Sequence, residues 1–233
     1  MVGRLAFTRF EFWDWRERDM VGLAREAARR GLSTVIFSGN TFAEPLVDPE
    51  MHRLALAHFA DSLRVARRVG AGLLVAHVGY SRSHLSHAMQ WEAAVQGLRA
   101  AGTLAAEARV TLAVEPLNST IDHPGYFLDS LPEALRLIRE VDHPAVRLLV
   151  DIYHMRVMHG DLLTLLPAAL PWVVHVHVAD VPGRGEPGSG RVPWSEVLSV
   201  LRDSGYRGAI GLEFWPTRDP EDGLRRAIEV LTS

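Results

Sequence analysis

Four apolar runs in the second half of the chain each end in a residue able to do chemistry. They are Glu115 in 111-TLAVEP-116, Asp151 in 146-VRLLVD-151, His177 in 173-VVHVHV-178 and Glu213 in 209-AIGLEF-214. In an extended strand, successive side chains alternate between faces. Leu112 and Val114 then oppose Thr111, Ala113 and Glu115, while Val146, Leu148 and Val150 oppose Arg147, Leu149 and Asp151. Val174, Val176 and Val178 oppose His175 and His177, and Ile210 and Leu212 oppose Ala209, Gly211 and Glu213. Each run therefore has one face to pack and another that ends in a carboxylate or an imidazole. Three carboxylates aimed at one point repel and shift one another's pKa values unless a cation lies between them. A donor set of three oxygens and one nitrogen suits Mn²⁺ or Mg²⁺, with Co²⁺ and Zn²⁺ also allowed. Singly, each residue has a plainer reading: Glu115 as a solvated loop carboxylate, Asp151 as a helix cap, His177 as a hydrogen-bonded core residue. Their repetition on four consecutive runs favours a metal site of Glu115, Asp151, His177 and Glu213.

A divalent ion chelating a carbonyl oxygen and a neighbouring hydroxyl acidifies the C–H between them and stabilises the enediolate. Glu115 and Glu213, on well-separated strands, are then the catalytic pair. Return of the proton to the adjacent carbon is isomerisation; return to the same carbon from the opposite face is epimerisation. His154, three residues beyond Asp151, is placed to meet a substrate oxygen. Arg184, in the Gly/Pro loop 181-VPGRGEPGSG-190, is suited to fork onto a carboxylate or phosphate. His77 faces the interior of 73-LLVAHV-78 and either lines the pocket or packs, and Glu11 on 10-FEFW-13 is read the same way. His175 lies one layer deeper than His177 and is expected to be a hydrogen-bonded interior residue. Trp13, Trp15, Trp194 and Trp215 lie near strand ends, as packing or as a wall against water.

The composition narrows the chemistry further. The chain has no Cys, and all 25 of its Lys+Arg residues are Arg. Thiolate nucleophiles, disulfides, Schiff bases and P-loop lysines are thereby excluded. Net charge is −3 with the basic residues dispersed, which argues against nucleic acid as a partner. No apolar stretch reaches the roughly 18 residues of a spanning helix, and the first residues lack a signal-peptide pattern, so a soluble cytoplasmic protein is expected.

The elements that must position these residues are readable in outline. Three more short β-rich runs, 10-FEFW-13, 34-TVIFS-38 and 73-LLVAHV-78, precede the four above. Helical patterns separate them. Asp48-Pro49-Glu50 opens the helix over 51–70, Ser130 with Glu133 forms a capping box, and Asp219-Pro220 repeats the cap-plus-proline device. Helices are expected to stop at Gly31, Gly70 and Gly205. Alternating strands and helices predict an α/β fold with a parallel sheet. The expected architecture is a (β/α) TIM barrel with seven βα units readable and the first β-α unit missing or truncated. Residues 1–233 form one such domain, with 1–12 irregular or a strand stub. A doubly wound open sheet is the rival, but no run is followed by a Gly-rich dinucleotide fingerprint. A gap in the sheet favours pairing with another chain, so a homo-oligomer is compatible.

The stretches 113-AVEPLN-118, 122-DHPGYFL-128, 150-VDIYHM-155, 175-HVHVADVPGRGEPGSG-190 and 211-GLEFWP-216 resemble the xylose isomerase-like TIM-barrel superfamily. Within it they look most like the hydroxypyruvate isomerase-like sugar isomerases and epimerases, over residues 33 to 233. The resemblance implies metal binding by Glu115, Asp151, His177 and Glu213, substrate contacts from His154 and Arg184, and acid/base roles for the two glutamates. Hydroxypyruvate isomerases usually carry Gln where this chain has His177. Ketose 3-epimerases carry His there and continue in a manner resembling Gly190 to Trp194. The expected activity is a metal-dependent isomerase of a small hydroxy-carbonyl compound or sugar. The alternatives are a ketose 3-epimerase, a polyol (inosose-type) dehydratase, or a barrel that binds metal without turnover.

Overall fold

The computed structural model describes residue 5 and residues 7–233; residues 1–4 and 6, part of the expected irregular start or strand stub, lie outside the described residues. The chain alternates β1 (Arg9–Phe10), α1 (Met20–Arg29), β2 (Ser33–Thr34), α2 (His52–Val69), β3 (Leu73–Ala76), α3 (His87–Ala108), β4 (Thr111–Val114) and α4 (Leu131–Val141). It continues through β5 (Val146–Asp151), α5 (Ile152–Met158), α6 (Leu162–Ala169), β6 (Val173–Val178), α7 (Trp194–Asp203), β7 (Ala209–Leu212) and α8 (Pro220–Thr232).

Strands β3 to β7 form one parallel ladder in chain order, and β1 pairs with β2. Single backbone bonds join the two groups: Val75 N–H donates to Phe37 O at 2.9 Å, and Gly39 N–H donates to Val75 O at 2.8 Å. The seven expected strands are all present, but the first two are shorter than 10-FEFW-13 and 34-TVIFS-38 suggest. Beyond their two-residue ladders the pair holds by isolated contacts, such as Val35 N–H to Phe10 O at 3.0 Å and Ser38 N–H to Trp13 O at 2.9 Å. The physical reason is the edge: β1 has a strand partner on one side only. Among the described residues no backbone ladder links β7 back to β1. A cavity of about 440 Å³ lies there, lined in part by Phe10, Glu11, His175, Ile210, Leu212 and Leu224.

The period-two pattern sorts the core into two layers. Leu112, Val114, Leu148, Val150, Val176 and Val178 pack outward with residues such as Phe59, Leu98, Leu137 and Leu166. Ile36, Val75, Ala113 and Leu149 form a small separate cluster inside the curled sheet. Above that inner plug the strand ends are polar. Burying an apolar side chain stabilises by about 1.5–3 kcal/mol, so the outer layer carries most of the fold and leaves the mouth free for chemistry.

Helix ends follow their sequence signals with one exception. Asp219 accepts from Glu221 and Asp222 N–H, and Asp48 accepts from Glu50 N–H in a 3₁₀ turn over Pro49–Met51 that leads into α2. Gly31, Gly70 and Gly205 adopt left-handed φ of 64°, 72° and 73° at helix ends. The Ser130–Glu133 capping box does not form: Ser130 makes no side-chain cap bond. His159 Nε2 accepts the first helical N–H, that of Leu131, at 3.2 Å instead. No helix of the described residues is long and apolar enough to cross a membrane.

Candidate functional site

Because β4, β5, β6 and β7 are consecutive neighbours, their C-terminal ends converge. One donor atom each of Glu115, Asp151, His177 and Glu213 lies within 4.8 Å of the others. His177 Nδ1 is 3.1 Å from Glu213 Oε2 and 3.5 Å from Glu115 Oε1. The first three residues are buried and Glu213 is half-buried. Both Glu115 oxygens, Asp151 Oδ2, both His177 nitrogens and Glu213 Oε2 lack a hydrogen bond of good geometry. Buried polar atoms are nearly always partnered, and this cluster of hard oxygens with one imidazole fits a divalent cation. Asp151 divides its labour. Its Oδ1 accepts Tyr153 N–H at 2.8 Å and caps α5, as the plainer reading expects, while Oδ2 is left for the cluster.

The electrostatics follow from this crowding. Burial, reinforced by the Glu213 charge, pushes Asp151 up to about 7. Burial would also raise Glu115, but the His177 and His77 imidazoles facing it overcome that and hold its carboxyl well below its usual range. His177 is buried too, which opposes its charge, yet Glu11, Glu115 and Glu213 hold its imidazolium well above the ordinary histidine value.

Arg184 reaches into the cluster from the loop after β6. Its guanidinium is 3.0 Å from Glu213 Oε2 and 3.5 Å from Asp151 Oδ2, and it stacks 5.1 Å above the Tyr153 ring. The loop is built to hold it there. Gly183 and Arg184 both adopt left-handed φ, 92° and 55°. The buried Asp180 carboxylate accepts N–H bonds from Val181, Gly188 and Val192, and from Trp194 Nε1 at 3.0 Å. Replacing Asp180 by Ala strands four donors, each costing about 1–3 kcal/mol when buried and unpaired. Asp180→Ala is expected to lower the unfolding free energy by at least about 3 kcal/mol in urea denaturation. Asp180→Asn, which keeps an acceptor, should lose less.

His154 is buried beside Asp151, with Nε2 3.5 Å from Asp151 Oδ2. Asn118 sets its tautomer: its backbone N–H, at 3.2 Å, donates into His154 Nδ1, which its Nδ2 also approaches to 2.6 Å. Nε2 therefore carries the proton and points a donor at the mouth. Burial lowers His154 to about 4, so it is a neutral donor. His77 is buried with its Nε2 3.6 Å from Glu115 Oε2 and neither ring nitrogen hydrogen-bonded. The Phe42 and Trp13 rings flank it at 4.6 and 5.5 Å. Trp194 and Trp15 are packing residues whose indoles bond Asp180 and Ser62, whereas Trp215 is 72% exposed. His175 is the interior residue expected, its Nε2 2.8 Å from Glu11 Oε2.

Several residues of this network carried no role in the sequence. Asn118 donates to Asp122, which also accepts from Tyr153 Oη at 2.8 Å, so one chain of bonds runs from His154 to the residue under Arg184. Asn118 and Tyr153 sit within three residues of Glu115 and Asp151, and that proximity is the only signal they give. Asp180, two residues past the end of β6, gives none.

A parallel (β/α) barrel whose strand ends gather three carboxylates and an imidazole defines the class of protein. Residues 4–233 match the model of the family described as xylose isomerase-like TIM barrel, and the chain belongs to that family. It is 36% identical over 219 residues to the putative hydroxypyruvate isomerase of Homo sapiens, covering 87% of this chain and 77% of that protein. It is 32% identical over 166 residues to the hydroxypyruvate isomerase of Escherichia coli, covering 71% and 64%. Other relatives of that name are matched over about half of their length. A solved AP endonuclease, family 2, from Brucella melitensis superposes with a TM-score of 0.86 at 28% identity, covering 98% of this chain and 90% of that one.

Proposed function

We propose that the protein is a divalent-metal-dependent isomerase of a small hydroxy-carbonyl compound, with hydroxypyruvate as the first candidate substrate. The observation that carries this reading is the set of Glu115, Asp151, His177 and Glu213, whose buried donor atoms converge without hydrogen-bond partners. These four residues would hold the ion, Mn²⁺ or Mg²⁺ by preference. When bound it supplies Lewis-acid polarisation of a carbonyl and its neighbouring hydroxyl.

The rest is done by the chain's own residues. Arg184 is a half-buried, forked cation at the mouth and binds the substrate carboxylate in two hydrogen bonds. His154 donates its Nε2–H to a substrate oxygen. Glu115, held ionised, takes the proton from the hydroxyl-bearing carbon; the carbonyl carbon then receives a proton from the same carboxyl or from Glu213. The hydroxyl proton moves to the other oxygen, so the product is an isomer and no redox partner is needed. Phe42, Trp13 and His77 form a low-dielectric wall that strengthens each of these interactions.

Incubating metal-loaded protein with hydroxypyruvate and a panel of ketoses in D₂O tests the reading, with proton NMR following product and deuterium. Isomerised hydroxypyruvate carrying deuterium is the expected result, and turnover of no compound overturns it. A ketose 3-epimerase is the second reading, favoured by His177 and by the Gly190–Trp194 continuation. It predicts deuterium at C3 of a ketose instead. The dispersed basic residues do not favour a nucleic-acid substrate.

Metal binding should release protons in a pH-dependent count. Below pH 7 both the Asp151 carboxyl and the His177 imidazolium carry protons that a cation must displace, and above about 7 only His177 does. Affinity for Mn²⁺ should therefore rise by about two log units per pH unit below 7 and about one above it. Calorimetry in buffers of different ionisation enthalpy reads the proton count directly.

A further inference from the structure

Beside the cluster lies a fourth carboxylate that the proposed chemistry leaves unused. Glu11, at the end of β1, sends its side chain across the open side of the barrel toward β6. Its Oε2 is 2.8 Å from His175 Nε2 and 3.5 Å from His177 Nε2. His177 thus stands between two acidic groups: Nδ1 faces Glu115 and Glu213, and Nε2 faces Glu11. A neutral imidazole has one proton for its two nitrogens.

We propose that Glu11 is a positioning residue: it accepts the Nε2–H of His177 and so presents Nδ1, unprotonated, to the metal cluster of Glu115, Asp151 and Glu213. The inference rests on the metal reading above. Histidines that bind metals almost always donate their other ring N–H to a carboxylate, carbonyl or water, which fixes ring and tautomer. Glu11 is the carboxylate on that side, and His175 holds it in place.

An independent feature shows that the path of Glu11 is built. Gly211 on β7 pairs in register with His177, directly beneath that path. A Cβ there would sit 2.2 Å from Glu11 Oε1 and 2.7 Å from Oε2. Gly211 does not have the left-handed φ that would demand glycine. What requires a bare α-carbon is the carboxylate crossing from β1 to β6. Glu11, His175 and His177 also lie close enough to hold an ion of their own. That arrangement would occupy Nε2 as well as Nδ1 and need an imidazole stripped of both protons, so the shared histidine favours one metal site with an orienting carboxylate.

The test is calorimetric titration with Mn²⁺ of the wild-type protein, Glu11→Ala, Glu11→Gln, Gly211→Ala, His177→Gln and the double variant Glu11→Ala/His177→Gln. The proposal expects one ion per chain in wild type and a 10–100-fold weaker Kd in Glu11→Ala. It expects a smaller loss in Glu11→Gln, whose amide oxygen still accepts. Glu11→Ala should add nothing once His177 is Gln. Gly211→Ala alters no polar group and should weaken Mn²⁺ by displacing the carboxylate, and it serves if Glu11→Ala fails to fold. The proposal is overturned by an unchanged Kd in Glu11→Ala, by an equal loss with and without His177, or by two ions in wild type falling to one in Glu11→Ala. No binding to wild type at all would fell the metal reading itself, and this inference with it.

Discussion

Glu115→Gln is expected to lower kcat on the preferred substrate by about 10³-fold or more at saturating metal, with Glu213→Gln close behind. Positioned general acid–base groups contribute about 10²–10⁴-fold on their own, and here each glutamate is also a candidate ligand. Glutamine keeps shape and volume, so loss of the fold is not the explanation; far-UV circular dichroism of both variants should match wild type. Glu115 is the more sensitive position. It is fully buried, its carboxyl is held well below the usual range, and His77 and His177 face it from two sides. A Glu115→Gln enzyme retaining more than a tenth of wild-type kcat would remove Glu115 from the proton-transfer role.

The second large effect is on stability. Saturating Mn²⁺ should raise the melting temperature by about 5–10 °C, and EDTA should abolish the rise. A ligand at 100 times its Kd stabilises by about 2.7 kcal/mol, and a chain of this size gains about 2–4 °C per kcal/mol. Asp151→Asn sharpens the test, because the two states respond in opposite directions. Burial raises the Asp151 pKa to about 7 in the fold, above its unfolded value of about 3.9. Metal-free protein therefore loses stability as pH rises from about 4 to about 7, where the unfolded chain ionises this group and the fold does not. Asparagine removes that penalty and can still cap α5. At pH 8 the metal-free Asp151→Asn protein should melt at or above wild type, yet show little or no shift with Mn²⁺. Differential scanning calorimetry at pH 5 and pH 8, with and without metal, resolves the pattern.

The strand ends were legible because alternation is a local property: which face a side chain takes depends only on its place in a run of four to six residues. Glu115, Asp151, His177 and Glu213 came out together for that reason, and His175 separated from His177 by the same rule. The fold class followed from the rhythm of strands and helices. What alternation cannot carry is contact between distant segments. The Glu11–His175 bond spans 164 positions in sequence, and its geometry depends on how far the sheet curls. The Asn118–His154 bond, which fixes a tautomer, is set by where the segment after β4 meets α5. Asp180 looked like any residue after a strand until the loop folded back around it. Ser130 had every local mark of a cap and lost its role to His159, an imidazole from another element.

Among the described residues the strands run in order from β1 to β7, and no ladder returns from β7 to β1. A closed cylinder has no first strand to lose, whereas a curled sheet frays from its two edges. Deuterium from solvent should therefore enter early at the backbone amides of β1 and β7 and last at β5, which lies inside the ladder with a strand on each side. Glu213 follows one edge and Glu11 the other, and both side chains meet His177 in the middle. On the metal reading, an ion held at this point is a clasp as well as a reagent. Loading the protein with Mn²⁺ should slow exchange at the two edge strands more than at the centre, and exchange mapped by mass spectrometry would show the barrel being held shut from the inside.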